Sequence, residues 1–205
     1  MKTTLNTFTL ILTLIVSLNL YAQISNNDKQ VSLEKSINGF QTGFLGIWLY
    51  NESRLSHTFA LRSQIGIDFR LEGVGQFESV GPNDDFYGIL HLSLAPRWYY
   101  NLKNRFNKAK SVKRNSGNFI ELFVVGNFEN LSFTNNERIR SLDQIKFIPK
   151  WGIRRTVGKH FVYEAGIGFG YEYYLNETSR SVGIFGSGSK GNFSADIHLR
   201  IGLDL

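Results

Sequence analysis

The chain has 205 residues, enough for one domain with its own core. Its 23 Lys and Arg against 17 Asp and Glu give a formal net charge of +6 at pH 7, which favours an anionic partner or surface over a basic one. It contains no cysteine, which excludes disulfide bonds and a lipid-modified N-terminal cysteine.

Residues 1–22 have the pattern of a secretory signal peptide. A single early charge, Lys2, is followed by an apolar run over residues 10–20, and the segment ends at Ala22. This run is too short for a membrane-spanning helix, which needs about 20 residues. We expect cleavage near Ala22 to leave 205 − 22 = 183 residues. These residues are expected to leave the cytoplasm, so no nucleic-acid partner is expected.

The C-terminal residues 193–205 alternate between apolar side chains and residues that are almost all polar or glycine. Residues 58–72 show the same pattern. A period of two is typical of a strand whose two faces meet different surroundings. Two such long strands indicate a β-barrel.

The period alone does not say which face lies inside the barrel. Predicted strands of roughly 13 to 17 residues exceed soluble strands of about 5 or 6, and a tilted membrane strand needs about 9 to 11. Glycines crowd the polar face, which suits a narrow lumen filled by large side chains. These glycines are Gly66, Gly166, Gly168, Gly170 and Gly202. We therefore expect the polar face inside and the apolar face against lipid.

Seven strands can be identified along the chain, with no helical period between them. They cover residues 36–50, 57–74, 86–101, 117–131, 143–158, 160–176 and 192–205. The long connections 75–85, 132–142 and 177–191 fall on one side of the sheet, as in outer-membrane barrels.

Such barrels have an even number of strands, and the seven identified leave one missing. We predict an all-β, antiparallel up-and-down transmembrane barrel, with eight strands as the expected number. Residues 24–36 are the candidate for a weak first strand. The predicted organisation is a signal peptide at 1–22, an N-terminal segment or short first strand at 23–35, and the barrel at 36–205.

The three tryptophans lie near the ends of predicted strands that run in the same direction. We predict that they belong to an aromatic girdle at one membrane interface. The girdle comprises Trp48, Tyr50, Trp98, Tyr100 and Trp151. Pro96 and Pro149 each precede a cation and a tryptophan, and we expect a bulge at both because proline cannot donate a ladder hydrogen bond.

A family resemblance rests on three short blocks of sequence. The blocks are PRWYYNL at 96–102, WGIRR at 151–155 and GKHF at 158–161. They are similar to segments of small outer-membrane β-barrel proteins of Gram-negative bacteria. The resemblance implies an eight-stranded barrel of the OmpA or OmpX type in the outer membrane, in contact with its lipids and lipopolysaccharide. It implies no particular activity.

The predicted inner face carries as many basic as acidic side chains. The basic ones are Arg62, Arg70, Arg97, Lys146, Lys150, Arg154 and Arg200, and the acidic ones are Asp68, Glu72, Glu121, Glu164, Glu172, Asp196 and Asp204. Side chains can fill an eight-stranded barrel, and buried charges persist only when paired. We therefore predict a monomer with a closed, ion-paired lumen and a structural or surface-interaction role through its long loops.

Three other functions stay open at this point. A small pore would favour one charge sign in its lumen, and a soluble lipocalin-like carrier would place the apolar face inside. A lipid-modifying enzyme needs a Ser or His near a carboxylate. His91 with Ser93 and Glu121 is one candidate group, and Asp196 with His198 is another. We assign no catalytic residue, and the scattered histidines and missing phosphate loop predict neither a metal nor a cofactor.

Positive charge is concentrated in one connection between strands. This basic turn comprises Lys103, Arg105, Lys108, Lys110, Lys113 and Arg114. We expect a solvated turn, with anionic lipid head groups, lipopolysaccharide phosphates or an acidic envelope partner as the alternative.

Overall fold

The computed structural model describes residues 31–44, 46–71, 86–133, 144–175, 182–183, 186–187 and 191–205. Within these ranges eight antiparallel strands close into a barrel, which confirms the predicted all-β, up-and-down architecture. The barrel strands are β1 (Ser36–Gly43), β2 (Gly46–Arg54), β3 (Phe59–Leu71), β4 (Phe86–Trp98), β5 (Gly117–Phe133), β6 (Gln144–Val157), β7 (Phe161–Tyr174) and β10 (Gly191–Asp204). Two short strands, β8 (Val182–Gly183) and β9 (Gly186–Ser187), pair with each other.

Each barrel strand pairs with its neighbour in sequence, and β10 returns to β1 to close the sheet. The connections therefore alternate between two ends. The turn end carries residues 55–58, 99–116 and 158–160 and the C-terminus, while the loop end carries the β1–β2 turn and the connections after β3, β5 and β7. The predicted long loops 75–85, 132–142 and 177–191 fall mostly outside the described residues. In the part of the chain that the structure describes, no helix is long and apolar enough to cross a bilayer.

Apolar side chains cover the outside of the barrel, and charged ones fill the inside. Leu49, Ile65, Leu94, Phe147 and Phe169 are all about half exposed or more on the outer face. Large inner side chains find room because glycine is paired with them on the neighbouring strand, as Gly168 is with Lys150. A Cβ on Gly168, for example, would lie 2.5 Å from Cγ of Lys150.

The barrel has eight strands because one predicted strand is in fact two. Residues 36–50 form β1 and part of β2, which reverse direction between Gly43 and Gly46. Residues 31–35 form no strand, so the proposed weak first strand is wrong over that part, and residues 24–30 lie outside the described ranges. The turn was missed because Phe-Leu occupies its tip, where hairpin turns usually carry Asn or Gly.

This reversal also changes the face on which two predicted girdle residues lie. Trp48 and Tyr50 are on β2 and point into the lumen, where they are 7% and 4% exposed. Their assignment to the girdle was wrong, because the missed turn shifts the alternation by one residue. Trp98, Tyr100 and Trp151 lie on the outer face, each more than 40% exposed.

The predicted bulges at Pro96 and Pro149 are also absent. Leu61 pairs with Pro96 and Leu122 with Pro149, and the register continues unchanged on both sides of each proline. Among the described pairs, the register shift in the barrel lies between Ile89 and His91, where β4 meets β5. On the opposite side of each strand the pairs resume in the same register beyond the proline, so the missing donor is tolerated without an extra residue.

Candidate functional site

The turn-end half of the lumen holds a buried cluster of three arginines and four carboxylates. We call it the arginine network, and its members are Arg62, Arg97, Arg154, Glu52, Glu121, Glu164 and Asp204. All seven are 3% exposed or less. The network binds β2, β3, β4, β5, β6, β7 and β10 to one another across the lumen.

Glu164 is the centre of the arginine network. Its carboxylate accepts hydrogen bonds from Arg62 at 3.1 Å, from Arg97 at 3.2 and 3.3 Å, and from Arg154. Arg97 also binds Glu121 at 2.6 Å. One carboxylate therefore holds three guanidinium groups, and its loss would leave them facing one another.

Glu52 receives neutral donors as well as arginine. The Tyr99 hydroxyl donates to it at 2.9 Å and the Asn115 amide at 2.6 Å, while Arg97 donates at 3.1 Å. Burial raises the pKa of Tyr99 well above its usual value, and the negative charge of Glu52 raises it further. The hydroxyl therefore keeps its proton and remains a donor to Glu52.

The basic turn folds across the turn end of the barrel. It contains helix α1 (Leu102–Asn107) and a 3₁₀ turn (Lys113–Asn115). Its Leu102 packs with Leu33, Tyr99 and Phe119 in a small apolar cluster. Arg154 Nε donates to the Arg114 carbonyl at 3.0 Å, which ties the turn to the arginine network. This segment seals the lumen at the turn end.

The basic side chains of this segment are divided by role. Lys103, Lys108, Lys110 and Lys113 are exposed. Arg105 instead donates to the Ser111 carbonyl at 2.9 Å, and Arg114 donates to the Leu205 carbonyl at 3.3 Å. The segment is therefore an ordered cap with an exposed cationic surface, rather than only a solvated turn.

The loop-end half of the lumen contains a cavity of about 330 Å³. We call it the loop-end cavity. Its inward-facing polar lining includes Asp68, His91, Lys146, Asp196, His198 and Arg200, and its apolar lining includes Trp48, Phe123 and Ile148. In contrast to the turn end, the charges here pair two by two: Lys146 with Glu172 at 2.8 Å, and Lys150 with Asp196 at 2.7 Å.

Asp68, His91 and Ser93 form a hydrogen-bonded chain beside this cavity. The two ring nitrogens of His91 lie 2.9 Å from Asp68 Oδ2 and 2.9 Å from Ser93 Oγ. Residue types and order match those of a hydrolase triad. Ser93, however, is 6% exposed and does not line the cavity, and its hydroxyl also contacts Gln64 at 3.2 Å. These hydrogen bonds therefore orient His91, and Ser93 is not an accessible nucleophile in this arrangement.

The predicted pairing of Glu121 with His91 and Ser93 is not what the structure shows, because Glu121 binds Arg97 instead. Asp68 is the carboxylate that contacts His91. It lies on β3, two residues from Gly66, which pairs with His91. The second predicted group does form: His198 Nδ1 lies 3.2 Å from Asp196 Oδ1.

Most of the predicted inner charges face the lumen. Those that do are Arg62, Asp68, Arg97, Glu121, Lys146, Lys150, Arg154, Glu164, Glu172, Asp196, Arg200 and Asp204. Glu72 and the side chain of Arg70 lie outside the described part of the structure. Glu52 was not predicted as a lumen residue, because residues 51–56 fell between the predicted strands 36–50 and 57–74. Glu52 lies on the same inward face of β2 as Trp48 and Tyr50, and the missed β1–β2 turn had assigned that face to the outside.

Together these features define a closed eight-stranded barrel with an apolar exterior, a sealed turn end and a polar cavity near its loop end. Comparisons with protein-family models, with curated proteins and with solved structures find no match to this chain. Within the described ranges, no group of three or more His, Asp or Glu side chains could hold a metal ion.

Proposed function

We propose that this chain is an integral outer-membrane barrel that does not conduct ions and that acts in envelope structure or surface interaction through its loop end. The observation that carries the proposal is the reversed polarity of the barrel. Side chains such as Leu49, Phe169 and Ile197 are 58%, 67% and 80% exposed outside, while the arginine network is buried inside. An apolar exterior of this kind is typical of a barrel surrounded by lipid.

The outer aromatic residues support the same proposal. Trp98 and Tyr100 pack edge to face with ring centroids 6.0 Å apart, and Trp151 Nε1 donates to the Tyr100 hydroxyl at 2.8 Å. All three lie on the outside of the barrel toward its turn end. Aromatic rings with polar tips are favoured at the level of lipid head groups. This cluster would therefore mark one membrane interface.

The proposal of a silent barrel rests on the sealed turn end. An ion that crosses the lumen would have to separate the buried pairs of Arg97 with Glu121 and of Arg154 with Asp204, at 2.6 and 2.7 Å. It would also have to pass the cap made by residues 99–116. A lipocalin-like carrier, by comparison, would present its charged face to water and its apolar face to a ligand.

Two measurements on the chain without residues 1–22 test this proposal. In detergent, the folded protein should show heat-modifiable gel migration, and membranes should retain it during carbonate extraction. In a planar bilayer, the folded protein should show no steady single-channel openings. Release by carbonate would overturn the membrane assignment, and steady openings would overturn the sealed lumen.

A deletion of residues 103–114 with a short turn in their place supplies the matched comparison. It removes the cap but keeps every member of the arginine network. We expect this variant to show no channel openings or only brief ones, because the arginine network still fills the lumen. Steady openings in the variant but not in the parent would assign the seal to the cap alone.

A further inference from the structure

One part of the barrel wall is lower than the rest at the loop end. The last pair between β1 and β10 is Gly43 with Arg200, and the first pair between β2 and β3 is Gly46 with Asp68. Beyond the first of these pairs, residues 193–199 of β10 pair with β7 on one side, and no described strand pairs with them on the other. We call this gap above the β1–β2 turn the notch.

The loop-end cavity opens into the notch. Its lining contains the inward side chains His198 and Arg200 and also the outward side chains Ile197 and Leu199 of the same strand. Phe44, at the tip of the β1–β2 turn, lines it too and is 96% exposed. A strand contributes both faces to one cavity only where the cavity passes its edge. The cavity therefore continues sideways to the apolar outer surface.

The cavity also presents one cationic side chain, Arg200, that has no anionic partner among the described residues. Arg200 is 6% exposed, stacks on the Trp48 ring at 4.3 Å and donates to Gln64 at 3.2 Å, but pairs with no described carboxylate. Its Nε and the Nε2 of His198 have no hydrogen-bond partner in the described structure. His198 itself is 8% exposed.

The carboxylates near these groups are already engaged. Asp68 accepts the Trp48 indole N–H at 2.8 Å and contacts His91 at 2.9 Å. Asp196 binds Lys150 at 2.7 Å and His198 at 3.2 Å. A buried cation without an anionic partner is costly, and an anion bound at Arg200 would balance its charge.

We propose that the loop-end cavity binds a single-chain anionic lipid of the fatty-acid class, which enters sideways through the notch. The head group would lie at Arg200, beside His198, and the hydrocarbon chain would leave past Ile197, Leu199 and Phe44. A volume of about 330 Å³ is at the small end for ligand sites, which favours one chain over several. This proposal rests on the proposed membrane function, because lipid can reach the notch only if it surrounds the barrel.

Trp48 provides a direct reporter of binding. A variant with Trp98→Phe and Trp151→Phe keeps it as the single tryptophan of the three in the chain. The probe is stearic acid brominated at the middle of its chain, added to the barrel in detergent after heat-modifiable migration has shown that it is folded. We expect saturable quenching of Trp48 fluorescence. A Trp48→Phe variant that keeps the other two tryptophans should show only non-saturable quenching.

The role of the anion is tested by removing charge from either partner. The methyl ester of the brominated acid, or the variant Arg200→Gln, should weaken binding about tenfold or more, because each removes a charge-assisted hydrogen bond. Arg155→Gln at the turn end is the matched control and should leave binding unchanged. If Arg200→Gln fails to fold, the ester comparison still decides the question on an unaltered lumen.

Entry through the notch has its own test. The chain has no cysteine, so Phe44→Cys can be labelled at one position with a bulky maleimide. Labelling should slow or abolish quenching, whereas a label at Lys108→Cys should not.

The outcomes separate the two proposals. Equal binding of acid and ester, or no saturable quenching in a folded barrel, would overturn the lipid site and leave the membrane barrel intact. Release of the chain by carbonate would overturn the membrane function itself. Binding unaffected by the label at residue 44 would overturn entry through the notch.

Discussion

The two halves of the lumen bury charge in different ways. At the turn end, three arginines share four carboxylates, so that Glu164 alone contacts Arg62, Arg97 and Arg154. At the loop end, among the described residues, Lys146 and Lys150 each pair with one carboxylate and Arg200 pairs with none. A shared network fills its space and leaves no room for a ligand, whereas separate pairs leave a cavity between them. The difference indicates that one half stabilises the fold and the other is available for binding.

The strongest test of this difference between the two halves is to remove one carboxylate from each and compare the losses of stability. Glu164→Gln leaves three buried guanidinium groups without their common partner and should lower the free energy of unfolding by about 3–5 kcal/mol. Glu172→Gln at the loop end removes a partner of Lys146 that is partly accessible to solvent, and should cost about 1 kcal/mol or less. Chemical unfolding of the refolded barrel, followed by gel migration, measures both. Equal losses would show that the two halves do not differ in the way proposed.

The floor of the loop-end cavity gives a second test. Trp48 lies flat against the inner wall, and a Cβ on Gly66 would overlap the Trp48 side chain and the Ile47 carbonyl. Gly66→Ala should therefore cost about 1–3 kcal/mol through overpacking. The fluorescence of the Trp48-only variant should change at the same time. Unchanged stability and fluorescence would mean that the indole does not lie on this wall.

Gly117→Ala is the matched control for Gly66→Ala. The nearest atom to its added Cβ is a ring carbon of Tyr99 at 3.0 Å, and a side chain can move more readily than a strand carbonyl. We expect a smaller loss of stability and no change in Trp48 fluorescence.

Tyr99 makes the turn-end half sensitive to alkaline pH. Tyr99→Phe removes the donor to Glu52 at 2.9 Å and should cost about 1–3 kcal/mol at neutral pH. Because burial raises the pKa of Tyr99 above the usual value of 10.0, the folded state holds this proton more tightly than the unfolded state. The stability that this proton provides is full below pH 10 and is lost as pH rises toward the folded pKa.

The measurable consequence is that the difference in free energy of unfolding between the parent and Tyr99→Phe narrows as pH rises. Above the unfolded pKa it should shrink by up to about 1.4 kcal/mol per pH unit. Unfolding curves of both proteins between neutral pH and the alkaline limit of the native barrel would measure it. A difference that stays constant with pH would contradict the raised pKa.

The sequence predicted the barrel and most of its inner charges for a simple physical reason. Alternation records which face each residue occupies, and residues 192–205 and 58–72 carry it with few breaks. The same rule failed at residues 36–50, where Phe-Leu replaces the usual turn residues. Phe44 at this tip is 96% exposed, and under the proposed membrane function it would lie against lipid and need no polar side chain. One missed turn then displaced Trp48 and Tyr50 to the wrong face and hid Glu52.

Other features of the site depend on partners that lie far apart in sequence. The triple contact of Glu164 joins residues 62, 97 and 154, and the notch depends on how far β1 extends along β10. Alternation fixes the face of a residue but not its register with a distant strand. The cap over the turn end was equally hidden, because its exposed lysines suggested a solvated turn while its contacts come from Leu102 and Asn115.

The smallest expected effect concerns the aromatic residues on the outside of the turn end. It tests whether they act independently of the lumen. Trp151→Phe and Tyr100→Phe each remove the hydrogen bond between the two rings, which is 2.8 Å long, and each should cost about 1 kcal/mol. Because both remove the same interaction, the double variant should cost less than the sum of the single variants. Unfolding of all four proteins in lipid bilayers provides the cycle, and additive losses would contradict a direct bond. Since these rings lie outside the barrel, none of the variants should alter binding at Trp48, whereas variants of the loop-end cavity should alter binding with little effect on the girdle.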